Sequence, residues 1–106
     1  MEGWMGTRKT IAVDFDGVLC QPDAQSTPYP GAREAISLLR ENGWVVIIHS
    51  CNNSKWIERW MNNQDIRFDY IWDGAGKPVA NVYLDDRGLR FENWEQALRD
   101  IRSLEG

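Results

Sequence analysis

The chain has 106 residues, 42% of them hydrophobic and 26% charged, with six tryptophans. This is one domain's worth of chain with enough apolar content for a real core, so intrinsic disorder is excluded. A net charge of −4 and a pI near 4.9 carry no basic footprint for non-specific nucleic-acid binding. No apolar run approaches the length of a membrane span, and Met1–Lys9 is too polar for a secretory signal. The two cysteines, Cys20 and Cys51, fit no zinc spacing and read as free thiols in a reducing cytoplasm.

Taken in order, residues 1–9 read as a loose tail and 10–106 as a single domain. Thr10–Phe15 reads as a buried strand. Gly17–Pro30 holds three prolines among polar residues and reads as a flap. Gly31–Glu41 is a helix with Ala32, Ala35, Ile36 and Leu39 on one face, stopped by Asn42-Gly43. Trp44–His49 is an almost continuously apolar strand.

Asn52 or Asn53 can cap a helix over Ser54–Asn63, with Trp56, Ile57, Trp60 and Met61 as its apolar stripe. Phe68–Trp72 and Val79–Leu84 read as two further strands, separated by a loop over 73–78. Arg87–Glu92 reads as loop. Asn93 caps a last helix with Gln96 in the capping-box position. Trp94, Ala97, Leu98, Ile101 and Leu104 form the stripe of that helix. Strands alternating with helices predict an α/β fold: a Rossmann-like three-layer sandwich with a central parallel sheet and helices on both faces.

The polar residues most in need of explanation follow strands. Asp14 and Asp16 stand at the end of the first, Ser50 after the second, Asp85 and Asp86 after the fourth. In a parallel sheet these ends share one edge, where ligands bind at the reversal of strand order. Several carboxylates gathered there need a cation, and oxygen donors without His or Cys select a hard ion, most simply Mg²⁺. Lys77 can join this edge if its loop folds inward. Each residue also has a plain structural role available: Ser50 as a helix cap, Lys77 as a solvated loop residue, Asp85-Asp86 as a turn.

The order of these motifs resembles the haloacid dehalogenase superfamily in its phosphatase branch. The residues that carry the resemblance are Asp14-Phe15-Asp16-Gly17, Val45 to Ser50, Lys77, and Tyr83-Leu84-Asp85-Asp86, together spanning most of the chain. The resemblance implies Asp14 as nucleophile and Asp16 as general acid and base. It implies Mg²⁺ held by Asp14, the Asp16 carbonyl and Asp85, with Asp86 binding directly or through water. Phosphate oxygens would meet Lys77, the Ser50 hydroxyl and backbone N–H groups near Phe15 and Cys51, with Asn52 and Asn53 in reach of substrate. Neither stretch between motifs leaves room for a cap domain. The implied site is therefore open, suited to a phosphorylated small molecule or an exposed phosphate on a larger substrate, or closed by a second copy of the chain. Receiver domains use similar residues, but their paired acids follow the first strand; here the pair comes last. Phosphoryl transfer to another acceptor and a phosphate- or Mg²⁺-binding module with little turnover are the competing expectations.

Overall fold

The computed structural model describes residues 9–72, 74, 76, 78–85 and 89–104. Its elements in chain order are β1 (Lys9–Asp14), α1 (Ala32–Glu41), β2 (Trp44–His49), α2 (Ser54–Asn63), β3 (Tyr70–Trp72), β4 (Val82–Asp85), β5 (Leu89–Arg90) and α3 (Trp94–Leu104). The strands form one sheet in the order β3-β2-β1-β4-β5, and every neighbouring pair is parallel. The α/β fold expected from the alternation of strands and helices is present. The strand order reverses between β1 and β4, which is where such sheets place their ligands.

Register explains which side chains form the core. Ile11 lies beside Val46 and Val82, and Val13 beside Ile48 and Leu84. These residues point to one face, because successive side chains alternate. On that face they form a single cluster with the buried residues of all three helices: Ala32, Ala35, Ile36 and Leu39; Ile57, Trp60 and Met61; Trp94, Ala97 and Ile101. Ala12 and Val45 are also buried but point the other way. Right-handed crossovers account for two of the three helices, since β1-α1-β2 and β2-α2-β3 step in the same direction and so place α1 and α2 on the same face.

The second face is covered differently from the sequence expectation. Between β3 and β4 the described residues of the connection form no helix; its Pro78 is buried and its Ala80 half-buried. Among the described residues, Pro78 and Ala80 lie against Tyr83 on this side, and the buried residues of all three helices lie in the cluster on the other. Nine residues between Trp72 and Val82 are too few for a helix and its two turns.

Several boundaries shift. β1 begins at Lys9, so the expected tail ends one residue earlier. β3 and β4 start two and three residues later than their apolar runs, and Val79 is 92% exposed. A fifth strand, Leu89–Arg90, pairs with β4 inside the stretch read as loop. Two residues are too few to show a period. The expected flap divides in two. Val18, Leu19 and Cys20 are core residues, tied by the Leu19 and Cys20 N–H groups to the Phe15 carbonyl, both at 3.0 Å. Only the segment from Gln21 onward reaches outward, and a bridge between Cys20 and Pro28 closes it at its base.

Helix ends follow local chemistry. Asn53, not Asn52, caps α2: its side-chain oxygen accepts from the N–H groups of Lys55 and Trp56 at 2.9 and 3.1 Å. Asn93 accepts from the Gln96 N–H at 2.8 Å, while the Gln96 side chain runs along the helix to Asp100 at 2.8 Å. At the opposite end of the sheet from the loops after β1 and β2, Asp69 joins β3 to β2 and α1. It accepts from the Val46 N–H at 2.8 Å and from the Arg40 guanidinium at 3.2 and 3.4 Å.

Candidate active site

The Asp14-Phe15-Asp16-Gly17 stretch leaves β1 with its side chains sorted by environment. Phe15 is fully buried, edge-on to Trp60 at 4.9 Å and to Trp56 at 5.7 Å between ring centroids. It anchors the two acids on either side of it. Asp14 is half-buried and Asp16 is exposed. Gly17 adopts φ +86°, a conformation that costs glycine nothing and other residues dearly. Its N–H donates to the Cys20 carbonyl at 2.9 Å, which closes the turn.

β2 ends beside this turn. Asp14 lies in register with His49, so Ser50 emerges next to Asp16. The Ser50 hydroxyl donates to Asp16 Oδ2 at 3.2 Å. The Asn52 side-chain amide donates to both Asp16 oxygens, at 3.1 and 3.3 Å. The Asn52 backbone N–H in turn donates to Ser50 Oγ at 3.0 Å. The three residues form one connected network that orients the Asp16 carboxylate. The motif pattern puts Ser50 and Asn52 within reach of substrate; in the structure both hold Asp16.

β4 completes the edge. Val13 is paired with Leu84, so Asp14 and Asp85 are the next residues along two adjacent strands. By alternation they share the face of Ala12 and Tyr83, the face crossed by the 78–81 segment. Asp85 is buried, with 6% of its surface exposed. A carboxylate at that depth needs partners or a counter-charge.

The Phe15 N–H donates to the His49 carbonyl at 3.0 Å. That bond continues the sheet ladder and removes this amide from the expected phosphate-binding set. Cys51 is exposed at the same edge, and Cys20 is buried and free. Burial pushes the Cys20 thiol above its usual value, against a smaller opposing effect of its hydrogen bond with Ser26. Asn53 is occupied as a helix cap. Lys77, Asp86 and Arg87 lie outside the described residues.

Among the described residues no three His, Cys, Asp or Glu side chains gather as a ready metal cage. The donors available at this edge are the Asp14 and Asp85 carboxylates and the Asp16 carbonyl. This oxygen-only set suits Mg²⁺, which keeps several waters and takes one or two protein carboxylates. No described helix is long and apolar enough to cross a membrane.

The chain matches no protein-family model and no curated protein. It is similar in structure to a conserved protein from Bacteroides thetaiotaomicron. That likeness covers 89% of each chain with a TM-score of 0.73 at 22% sequence identity. It supports the compact α/β architecture and carries no assignment of activity.

Proposed function

We propose that the protein is a Mg²⁺-dependent phosphomonoester hydrolase of the haloacid dehalogenase type, working through an aspartyl-phosphate on Asp14. The observation that carries this reading is the placement of Asp14 and Asp85 on adjacent strands at the reversal of strand order, with Asp16, two residues after Asp14, held by Ser50 and Asn52. A plain surface turn would not bury one carboxylate and immobilise another.

In the first step a carboxylate oxygen of Asp14 attacks phosphorus, and the bond from phosphorus to the leaving oxygen breaks. Asp16 donates a proton to that oxygen, and the alcohol departs. In the second step Asp16 takes a proton from water, whose oxygen attacks phosphorus. The bond from phosphorus to Asp14 breaks, which releases phosphate and restores both acids. Dividing hydrolysis in this way replaces one difficult displacement by two easier ones. The Asp16 network keeps the acid/base in one orientation through both steps. Mg²⁺, with Asp14, the Asp16 carbonyl, Asp85 and the expected Asp86 as ligands, would offset charge on the acids and the phosphoryl group. Lys77 would add the second positive charge.

The exposure of Asp16, Cys51 and Asn52 fits an uncapped site that accepts the phosphate of a small molecule or of a larger substrate. Free thiols fit a reducing compartment such as the cytoplasm. The test is phosphate release from a panel of phosphomonoesters with and without Mg²⁺. Release that requires the metal and is lost in Asp14→Asn supports the reading. Metal binding without turnover on any substrate would favour a binding module instead.

A further inference from the structure

The apolar stripe of α2 leaves one member in the open. Ile57 and Met61 are fully buried and Trp60 is 7% exposed, whereas Trp56 is 40% exposed. The Trp60 indole is pinned through its N–H to the Ser26 carbonyl at 2.9 Å. Among the described residues the Trp56 indole N–H has no such partner. A lone exposed apolar side chain is ordinary on a protein surface, so its place decides what it can do.

Trp56 stands in the first turn of α2, and its backbone N–H donates to the Asn53 cap at 3.1 Å. The loop that ends in this cap holds Asp16 through Ser50 and Asn52. The Trp56 ring meets Phe15 at 5.7 Å between centroids and 85° between planes. Phe15 is the residue between Asp14 and Asp16, and its ring belongs to the cluster under the helices. Trp56 therefore flanks the two acids from the helix side. The segment bearing Ser26 meets the same stripe one turn further along, at Trp60. The exposed Leu38 and Leu104 lie toward the C-terminal ends of α1 and α3, away from this edge.

We propose that Trp56 is the platform on which a planar aromatic ring in the leaving group of the substrate stacks. The inference rests on reading Asp16 as the acid that meets the leaving oxygen. Atoms beyond that oxygen must pass beside Asp16, whose carboxylate is already held from the β2–α2 loop. The next turn of the chain after that loop presents an open indole. Its contact with the fully buried Phe15 and the Asn53 cap fix it before substrate arrives, so little ordering remains to be done on binding. Every aromatic ring has a π-face to offer such a platform, whether it is a nucleobase or a simple aryl group.

The test uses phosphonates, which cannot lose their organic group by hydrolysis, and measures their binding by calorimetry with Mg²⁺ present. Benzylphosphonate and cyclohexylmethylphosphonate have the same carbon count, but only the first is flat. Wild type should bind the benzyl compound about twofold to tenfold more tightly, the range expected of one aromatic pair. Trp56→Leu keeps an apolar contact for Phe15 and should abolish the preference. Trp56→Phe should restore part of it. The phosphonate analogue of adenosine 5′-phosphate, run beside them, tells a nucleobase from a smaller ring by which of the two binds more tightly. No preference in wild type would overturn the platform, as would a preference that survives in Trp56→Leu. Wild type that binds neither ring compound would overturn it as well. A preference that depends on Trp56, with no phosphate released from benzyl phosphate, would instead defeat the hydrolase reading alone.

Discussion

The hydroxyl of Ser50 meets the carboxylate of Asp16 at 3.2 Å, across the loops that leave two neighbouring strands. Asn52 reinforces the contact from the same loop. An exposed carboxylate held by three contacts from two residues is oriented, not merely solvated. If Asp16 is the acid/base, Ser50→Ala and Asn52→Ala should each lower kcat by about tenfold to a hundredfold, the range expected when a hydrogen bond to a charged group is lost. Asp16→Asn should cost about a hundredfold to ten-thousandfold on a substrate with a poor leaving group. Steady-state kinetics on one alkyl phosphate checks all three. Equal activity in Ser50→Ala would show that the contact does not serve the chemistry.

Phe15 links the site to the core. It is fully buried, and two tryptophan rings from α2 meet it edge-on. Phe15→Ala would leave a cavity between β1 and α2 and should destabilise the domain by about 3–5 kcal/mol. Phe15→Leu should cost less, because most of the volume remains. Denaturant midpoints measure both. A loss under about 1 kcal/mol for the alanine variant would mean that the site collapses freely around the missing ring.

The outer part of the flap should respond to acid. The Thr27 N–H donates to Asp23 Oδ1 at 2.9 Å, and this bond holds the Asp23 carboxyl below its usual value of 3.8. For a lowered carboxylate the stabilisation is present above the unfolded value and is lost as pH falls through the folded one. The window therefore lies below 3.8. The Trp60 indole N–H, which donates to the Ser26 carbonyl at 2.9 Å, reports on this segment. Its NMR shift should move as pH falls through that window and should not do so in Asp23→Asn. The same titration in both proteins would remove Asp23 as the cause.

The two thiols should differ in reactivity. Cys51 is exposed beside Ser50, whereas Cys20 is buried with its thiol held in the neutral form. A thiol reagent at neutral pH should modify Cys51 quickly in the native protein and Cys20 only on unfolding, because the thiolate is the reacting species. Comparable native rates at both positions would contradict the burial of Cys20.

Most of this fold is legible in the sequence where runs are long. The bounds of β2 and α2 follow from Trp44–His49 and Ser54–Asn63, where six and ten residues carry a clear pattern. Short pieces hide. Val18-Leu19-Cys20 is too brief to show a period and sits among prolines, so its burial is invisible before folding. β5 has two residues. Trp56 belongs to the apolar stripe of α2 yet is 40% exposed, because it lies in the first turn, where the helix meets the open edge. At the site, the order of acids, hydroxyl and lysine is visible as a pattern. The use of Ser50 and Asn52 to hold Asp16 depends on contacts between residues far apart in sequence. No periodicity encodes such contacts.

The aspartyl-phosphate is the claim on which the functional account turns, and it can be trapped. Asp16→Asn with an aryl phosphate and Mg²⁺ should still form it, because an aryl leaving group needs little protonation, and should hydrolyse it slowly, because water is no longer activated. Acid quenching followed by peptide mass analysis should then find one phosphoryl group on the peptide containing Asp14. Phosphate release at the wild-type rate with no phosphoryl group on that peptide would contradict the account.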